Sequence, residues 1–322
     1  MKPAFLVIDK PLGLTSHDVV AIVRAVTGIK KVGHTGTLDP LATGVLPLAL
    51  GGGTRFIQFL DEQLKIYDAT IQLGARTSTG DREGEVIAEA PVPSAEVLDG
   101  IDEVLAGFIG ARQQVPPAYS AVKVDGKPLY KYAREGKAVT AKARTITVHK
   151  LTVAERGEDW LRVIMECSRG TYARVLAEEI GQALGSEGHL SALRRLRSGP
   201  FTLENSLDLG ELAQIVTGTD DWGTAFRRPA PGEERVKWRP RGDVHAGIQP
   251  RCTSLLNAMS HLPRVNVDAE VRRRVLSGAR PPPPPRGLTA GGRYVVAEGE
   301  DLLAIAEFDG TVGRCLRAVS AH

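Results

Sequence analysis

The alternation of apolar and polar positions divides the chain into short elements of two kinds. Phe5 to Asp9 is a run of apolar residues that predicts a short buried strand, followed by a turn at Lys10-Pro11-Leu12-Gly13-Leu14. Val19, Val20, Ile22, Val23 and Val26 recur at helical spacing, with Ser16 as the expected N-cap and Gly28 closing the helix. Val45 to Leu50 predicts a strand. Gly51-Gly52-Gly53 predicts a flexible turn, and Thr54 a cap on a short helix ending at Phe59. Lys65 to Gly74 alternates with period two, as a half-buried strand does, and leads into a polar loop over residues 76–84. Pro93 to Phe108 has the pattern of an amphipathic helix. Thr145 to Val153 and Trp160 to Cys167 predict strands, and Val175 to Ala183 a helix ended by Gly185.

Residues 217–251 lose periodicity and predict an extended, partly disordered insertion. Ala269 to Ser277 predicts a short basic helix, and Pro281 to Pro285 a polyproline II stretch. Tyr294-Val295-Val296, residues 302–306 and residues 315–319 predict strands separated by glycine turns. Strands and helices mixed in this way indicate an α+β fold.

A chain of 322 residues with 42% apolar composition can bury a large core and a second small domain. No run approaches the ~20 apolar residues of a membrane span, and the N-terminal residues lack the pattern of a secretory signal, so the cytoplasm is the expected compartment. Cys167, Cys252 and Cys315 are odd in number and have no metal-ligand spacing. With 41 basic and 38 acidic residues, the net charge of +3 does not by itself mark a nucleic-acid binder. Local clusters are more informative. Arg194-Arg195-Leu196-Arg197 and Arg272-Arg273-Arg274 could neutralise phosphates or form solvated helix faces. Lys123, Lys127, Lys131, Arg134 and Lys137 interleave with Tyr119, Tyr130 and Tyr132, a composition suited to phosphates and unstacked bases.

The stretch Gly33-His34-Thr35-Gly36-Thr37-Leu38-Asp39-Pro40-Leu41-Ala42-Thr43-Gly44 holds one carboxylate among small and apolar residues. Its glycines can take positive φ and permit close approach, and Pro40 pushes Asp39 towards extended or turn geometry. Two readings follow: a turn aspartate bonded to its own backbone, or a rigid loop that presents a carboxylate to a reacting atom. The triglycine at 51–53 is not a phosphate loop, because no Gly-Lys-Ser/Thr follows.

This stretch resembles the catalytic motif of the TruB family of pseudouridine synthases. Asp9 to Ser16, Lys65 to Gly74, Cys167 to Arg174 and His189 to Arg197 resemble that family's further motifs, so the resemblance covers residues 4–206. It implies isomerisation of uridine 55 in the TΨC loop of tRNA, with Asp39 as nucleophile. It places Tyr67 against the flipped base, where it assists loss of the C5 proton, and pairs Arg174 with the nucleophile. His34 then lies near the base, Tyr172 and Leu193 line its pocket, Lys10 supports the catalytic loop, and Asp81 contacts RNA or braces its own loop. The segment after Gln113 leads into a loop that closes on the tRNA arm.

The implied fold is a mixed, mostly antiparallel sheet with helices, plus a small β-rich, PUA-like C-terminal domain. The expected divisions are 1–216 catalytic, 217–261 insertion or linker, and 262–322 RNA-binding. An isomerisation needs no metal or organic cofactor. The expected partner is the TΨC arm of tRNA, with no obligate protein partner, no membrane and a monomeric state. Two rival functions are a non-catalytic tRNA-binding or RNA-folding module, and an RNA-guided pseudouridine synthase of a ribonucleoprotein.

Overall fold

In the computed structural model, which describes residues 1–60, 64–220 and 243–319, the buried run Ala4–Lys10 forms a strand covered on both faces. It pairs antiparallel with strand Ala42–Leu50, in register from Ala4 opposite Leu50 to Lys10 opposite Gly44. On its other side it takes Ser206–Leu207 in parallel and Cys252–Ser254 antiparallel. Strand Val32–His34 adds to Ala42–Leu50. The sheet is therefore mixed and mostly antiparallel. By contact density the chain divides into two units: Met1–Pro40, Gly44–Asp61 and Pro200–His322, and Leu41–Thr43 with Glu62–Gly199.

In the first unit, helix Ser16–Thr27 buries Val19, Val20, Val23 and Val26. Its N-cap is Thr15 and not the expected Ser16. Thr15 and Asp18 form a reciprocal capping box, whereas Ser16 is buried and its hydroxyl is engaged elsewhere. Gly28 closes the helix in left-handed conformation at φ 69°. The segment after residue 50 also departs from expectation. A 3₁₀ helix begins at Gly51 and runs to Phe59, and the Thr54 hydroxyl donates back to the Gly51 carbonyl at 2.9 Å. Gly53 lies on the first strand so closely that a Cβ there would stand 2.8 Å from the Ala4 carbonyl oxygen.

The C-terminal sheet orders Arg264–Asn266, Arg293–Glu298, Asp301–Phe308 and Gly313–Ala318, the first pair parallel and the rest antiparallel. Val295, Ala297, Leu302 and Ile305 join Phe5, Val7, Val45, Ala49, Phe56 and Phe59 in one core. The alternate residues Tyr294 and Val296 face a second core with Val275 of helix Ala269–Leu276. Of the expected extended insertion, residues 221–242 lie outside the described residues. Val244–Ile248 is helical, because Asp243 caps its first turn, and the His245 ring bonds the Thr27 carbonyl at 2.9 Å.

The second unit orders its strands Gly188–Ser198, Lys65–Leu73, Trp160–Cys167, Arg144–Arg156 and Gly110–Gln114, all antiparallel. The run 194–197 therefore lies on a strand and not on a helix face, and Arg195 is only 1% exposed. Helix Ala173–Ala183 packs closely on this sheet, since a Cβ on Gly181 would come within 2.6 Å of the Gly188 nitrogen. The expected helix at 93–108 is two short helices, Ala95–Asp99 and Ile101–Ala106, divided at Gly100. The start of the polar loop at 76–84 pairs instead in a hairpin, Ala75–Thr77 with Val86–Glu89. Among the described residues no helix is long and apolar enough to cross a membrane.

Two substitutions separate the roles of Thr15 and Ser16. Thr15→Ala removes a cap and should lower the unfolding free energy by about 1 kcal/mol. Ser16→Ala strands a buried backbone amide and should lower it by about 1–3 kcal/mol. Urea unfolding checks both, and a larger loss at Thr15 would reverse this assignment.

Candidate active site

Asp39 lies between two anchored residues. On one side, the Ser16 hydroxyl accepts from the Leu38 amide at 2.8 Å and donates to the Leu38 carbonyl at 3.1 Å. On the other, the Pro40 carbonyl accepts from the Gly13 amide at 2.9 Å and from Lys10 Nζ at 3.4 Å. Lys10 is fully buried, and its ammonium also donates to the carbonyls of Pro11 at 2.9 Å and Leu14 at 2.6 Å. A buried ammonium is tolerable only with such acceptors around it. One side chain thus ties the turn at 11–14 to the residue that follows Asp39.

Upstream, Val32–His34 is held by strand pairing, and the Thr35 amide donates to the Pro47 carbonyl at 3.1 Å. The half-buried His34 ring meets His17 edge-on, with centroids 5.4 Å apart. Of Gly33, Gly36 and Gly44, Gly44 alone takes positive φ, at 98°.

Tyr67, Asp81, Tyr172, Arg174 and Leu193 belong to the second unit, whereas Lys10, His34 and Asp39 belong to the first. Alternate residues of Lys65–Leu73 are buried, so Tyr67 lies on the inner face with 8% exposure. Its neighbour Asp68 goes to the other face, where the Arg162 fork holds it at 2.9 and 2.6 Å. Tyr67 pairs across the sheet with Arg195, and Leu193 pairs with Ala69, so the three side chains share one face.

Arg174 sits in the first turn of its helix, where the helix dipole disfavours a cation. Its surroundings offset that. Nη1 donates to the Thr79 carbonyl at 2.8 Å and Nη2 to the Tyr119 carbonyl at 2.8 Å, while Nε stands 3.7 Å from Asp81 Oδ2. Both members of the ion pair are buried, at 6% and 7% side-chain exposure. Asp81 Oδ1 accepts from the Thr79 hydroxyl at 2.6 Å and the Glu83 amide at 3.1 Å. Asp81 therefore braces its own turn and Arg174 together. One helical turn on, burial pushes the Glu178 carboxyl up, opposed by the nearby Arg76 and Arg174.

Tyr172, at the N-cap of the same helix, is held by Gln114. Its amide donates to Gln114 Oε1 at 2.8 Å, and its carbonyl accepts from Gln114 Nε2 at 3.2 Å. Cys167 is fully buried, its thiol pushed up to about 11 by burial, which suits a small packed side chain and not a nucleophile.

In the segment 115–143, Lys123–Val124 pairs with Lys127–Pro128 ahead of helix Leu129–Arg134. Glu135 there binds both Lys127, at 2.5 Å, and Lys137, at 3.3 Å. Lys127 also lies over Tyr132, and Arg134 over Tyr130.

Ser16, Gln114 and Arg195 matter to this arrangement but were not marked as site residues in the sequence, where Ser16 read as a helix cap and Arg195 as one of a basic cluster. A serine before a helix reads first as a cap, and a lone Gln carries no pattern. Arg195 sits in a basic run that reads as solvated, whereas its pairing with Tyr67 puts it on the inner face.

If Lys10 secures the loop, Lys10→Met should accelerate amide exchange at Gly13 and Leu38 at least tenfold, while amides of strand Trp160–Cys167 keep their protection. Exchange read by mass spectrometry or NMR checks this, and uniform acceleration would mean global destabilisation instead.

Residues 24–173 match the family model described as TruB family pseudouridylate synthase (N terminal domain), and residues 174–228 match that of the tRNA pseudouridylate synthase B C-terminal domain. The chain is 42% identical to tRNA pseudouridine synthase B of Aromatoleum aromaticum, over 95% of this chain and 88% of that one. It is 46% identical to the protein of the same name in Geobacter sulfurreducens, over 72% and 80%. Among solved structures it is similar to a chain in a Cbf5-Nop10-Gar1 complex, with a TM-score of 0.69 and 26% identity, covering 98% of this chain and 84% of that one. With the motifs around Asp39, Tyr67 and Arg174 inside the matched residues, the chain belongs to the TruB family of pseudouridylate synthases.

Proposed function

We propose that this chain converts uridine 55 in the TΨC loop of tRNA to pseudouridine, with Asp39 as nucleophile. The observation that carries the reading is the anchoring of Asp39. The residues before and after it are each pinned by a buried side chain, as suits a carboxylate that must be aimed. The names of the sequence relatives support tRNA as the substrate.

The uridine leaves its stack to reach the carboxylate. Its N1–C1′ bond breaks, the uracil turns, and C5 bonds to C1′. C5 loses a proton and N1 gains one, so atoms balance without a redox step. Tyr67 stacks on the base and assists removal of the C5 proton, and Leu193, Tyr172 and His34 line its pocket. Arg174, already oriented by Asp81, is the proposed partner of Asp39. Lys10 holds the loop in which Asp39 sits.

The enzyme acts in the cytoplasm as a monomer, on RNA alone. The structural neighbour comes from a complex with Nop10 and Gar1, which keeps a ribonucleoprotein role as the rival reading. Pseudouridine formation by the purified chain on bare tRNA separates the two.

Residues 1–216 form the proposed catalytic domain, 217–261 a linker, and 262–322 a PUA-like RNA-binding domain. The C-terminal sheet shares a core with the first strand, so deleting it would expose apolar surface, and charge substitution tests it better. Arg272 is bonded to Glu298 at 2.5 Å, whereas Arg273 and Arg274 are exposed.

Asp39→Asn should abolish single-turnover pseudouridine formation while tRNA affinity stays within about threefold, since the amide keeps the shape but not the anion. Measurable turnover by the pure variant would remove Asp39 from the chemistry. Arg174→Lys should lower the single-turnover rate more than affinity, because Lys loses the planar fork that meets two carbonyls and an acid. Arg273→Glu with Arg274→Glu should weaken binding and make the slope of log affinity against log salt shallower by about two. An unchanged slope would take these arginines off the RNA.

A further inference from the structure

Arg144 opens the strand Arg144–Arg156 and stands directly opposite Gln114, the residue whose amide holds the Tyr172 backbone. Its guanidinium carbon lies 5.7 Å from the centre of the Tyr172 ring. This cross-strand pair therefore grips one residue twice, Gln114 at the backbone and Arg144 at the ring. Gly170 lies against the arginine, at ordinary contact distance. It takes φ of +83°, and a Cβ there would stand 3.5 Å from Arg144 Nη1 and 3.8 Å from Cδ.

Other arginines of the same unit are committed to acids: Arg76 to Glu187, Arg112 to Glu179, Arg162 to Asp68 and Arg174 to Asp81. Arg144 is half-buried, yet among the described residues its guanidinium has no hydrogen-bond or ion-pair partner. Five N–H donors are thus left beside an aromatic ring, with the side chain already placed by that ring. A planar fork of this kind suits the paired oxygens of a phosphodiester.

We infer that Arg144 binds one phosphodiester of the RNA substrate, beside the nucleotide whose base Tyr172 lines. The inference rests on the reading of the substrate as RNA given above. The arginine holds the strand on the far side of the tyrosine ring and so fixes the backbone next to the base that leaves the stack.

The test uses the full chain and a synthetic TΨC stem–loop RNA carrying single neutral methylphosphonate linkages, one position at a time. With the unmodified enzyme, one linkage in the loop should lower affinity about tenfold. Arg144→Gln should bind the all-phosphate RNA about tenfold more weakly and lose nothing further at that linkage. Its slope of log affinity against log salt should be shallower by about one. Arg144→Lys keeps the charge, so it should keep the slope while losing several-fold in affinity.

Independent, additive losses at every linkage, or an unchanged salt slope for Arg144→Gln, would overturn the inference and leave Arg144 as a brace for Tyr172. If the Gln variant fails to fold, the scan on the unmodified enzyme decides, because no sensitive linkage means no bound phosphodiester. Pseudouridine formation on the same RNA is read in parallel. An enzyme that modifies the RNA but shows no coupling removes Arg144 alone, whereas one that neither binds nor modifies it removes the substrate assignment.

Discussion

A single carboxylate can be aimed only if the backbone on both sides of it is held, and the first unit is built to hold Asp39. Ser16 and Lys10 are both buried, both polar, and both spend their hydrogen bonds on loop backbone and not on solvent. Lys10 ends the strand whose Phe5 and Val7 join the main core, and Ser16 opens the helix that buries Val19, Val20, Val23 and Val26. Loop geometry is thereby coupled to the most deeply buried part of the unit. In the proposed reaction, the immobilised loop would lower the entropy lost when a reacting atom is brought against the acid.

The second unit solves a different problem. It must keep a guanidinium and an aromatic ring in place on a surface made from several strands. Arg174 does so by spanning the Thr79–Asp81 turn and the Tyr119 carbonyl, which joins two loops through one planar group. The segment it reaches leads directly into the Lys- and Tyr-rich stretch at 123–137. Orientation of the arginine and the course of that stretch are consequently linked through a single hydrogen bond.

How much was legible depended on whether one residue's chemistry was local. The strand at 5–9, the helix closed by Gly28 and the alternating strand at 65–74 followed from periodicity, because burial of one face fixes the pattern. The α+β class followed from the same signal. Asp39 stood out because its glycine- and proline-framed setting is unusual in any turn. Ser16 was misread because a cap and a long-range hydrogen bond both call for a hydroxyl at a helix start, and only the position of Leu38 distinguishes them. Arg195 was hidden because a basic cluster usually lies in water, whereas its pairing with Tyr67 puts it on the inner face. The helix at 93–108 broke at Gly100, where the low helix propensity of glycine outweighed the apolar pattern.

The central claim is that an anchored Asp39, with Tyr67 and Arg174, makes this chain a tRNA-modifying isomerase that works alone. Mapping pseudouridine by position in unmodified tRNA, after incubation with the purified chain and nothing else, tests it most directly. The account predicts conversion at uridine 55 approaching one per tRNA, and none in RNA that carries cytidine there. Modification only after addition of a guide RNA or partner proteins, or at a different uridine, would contradict it.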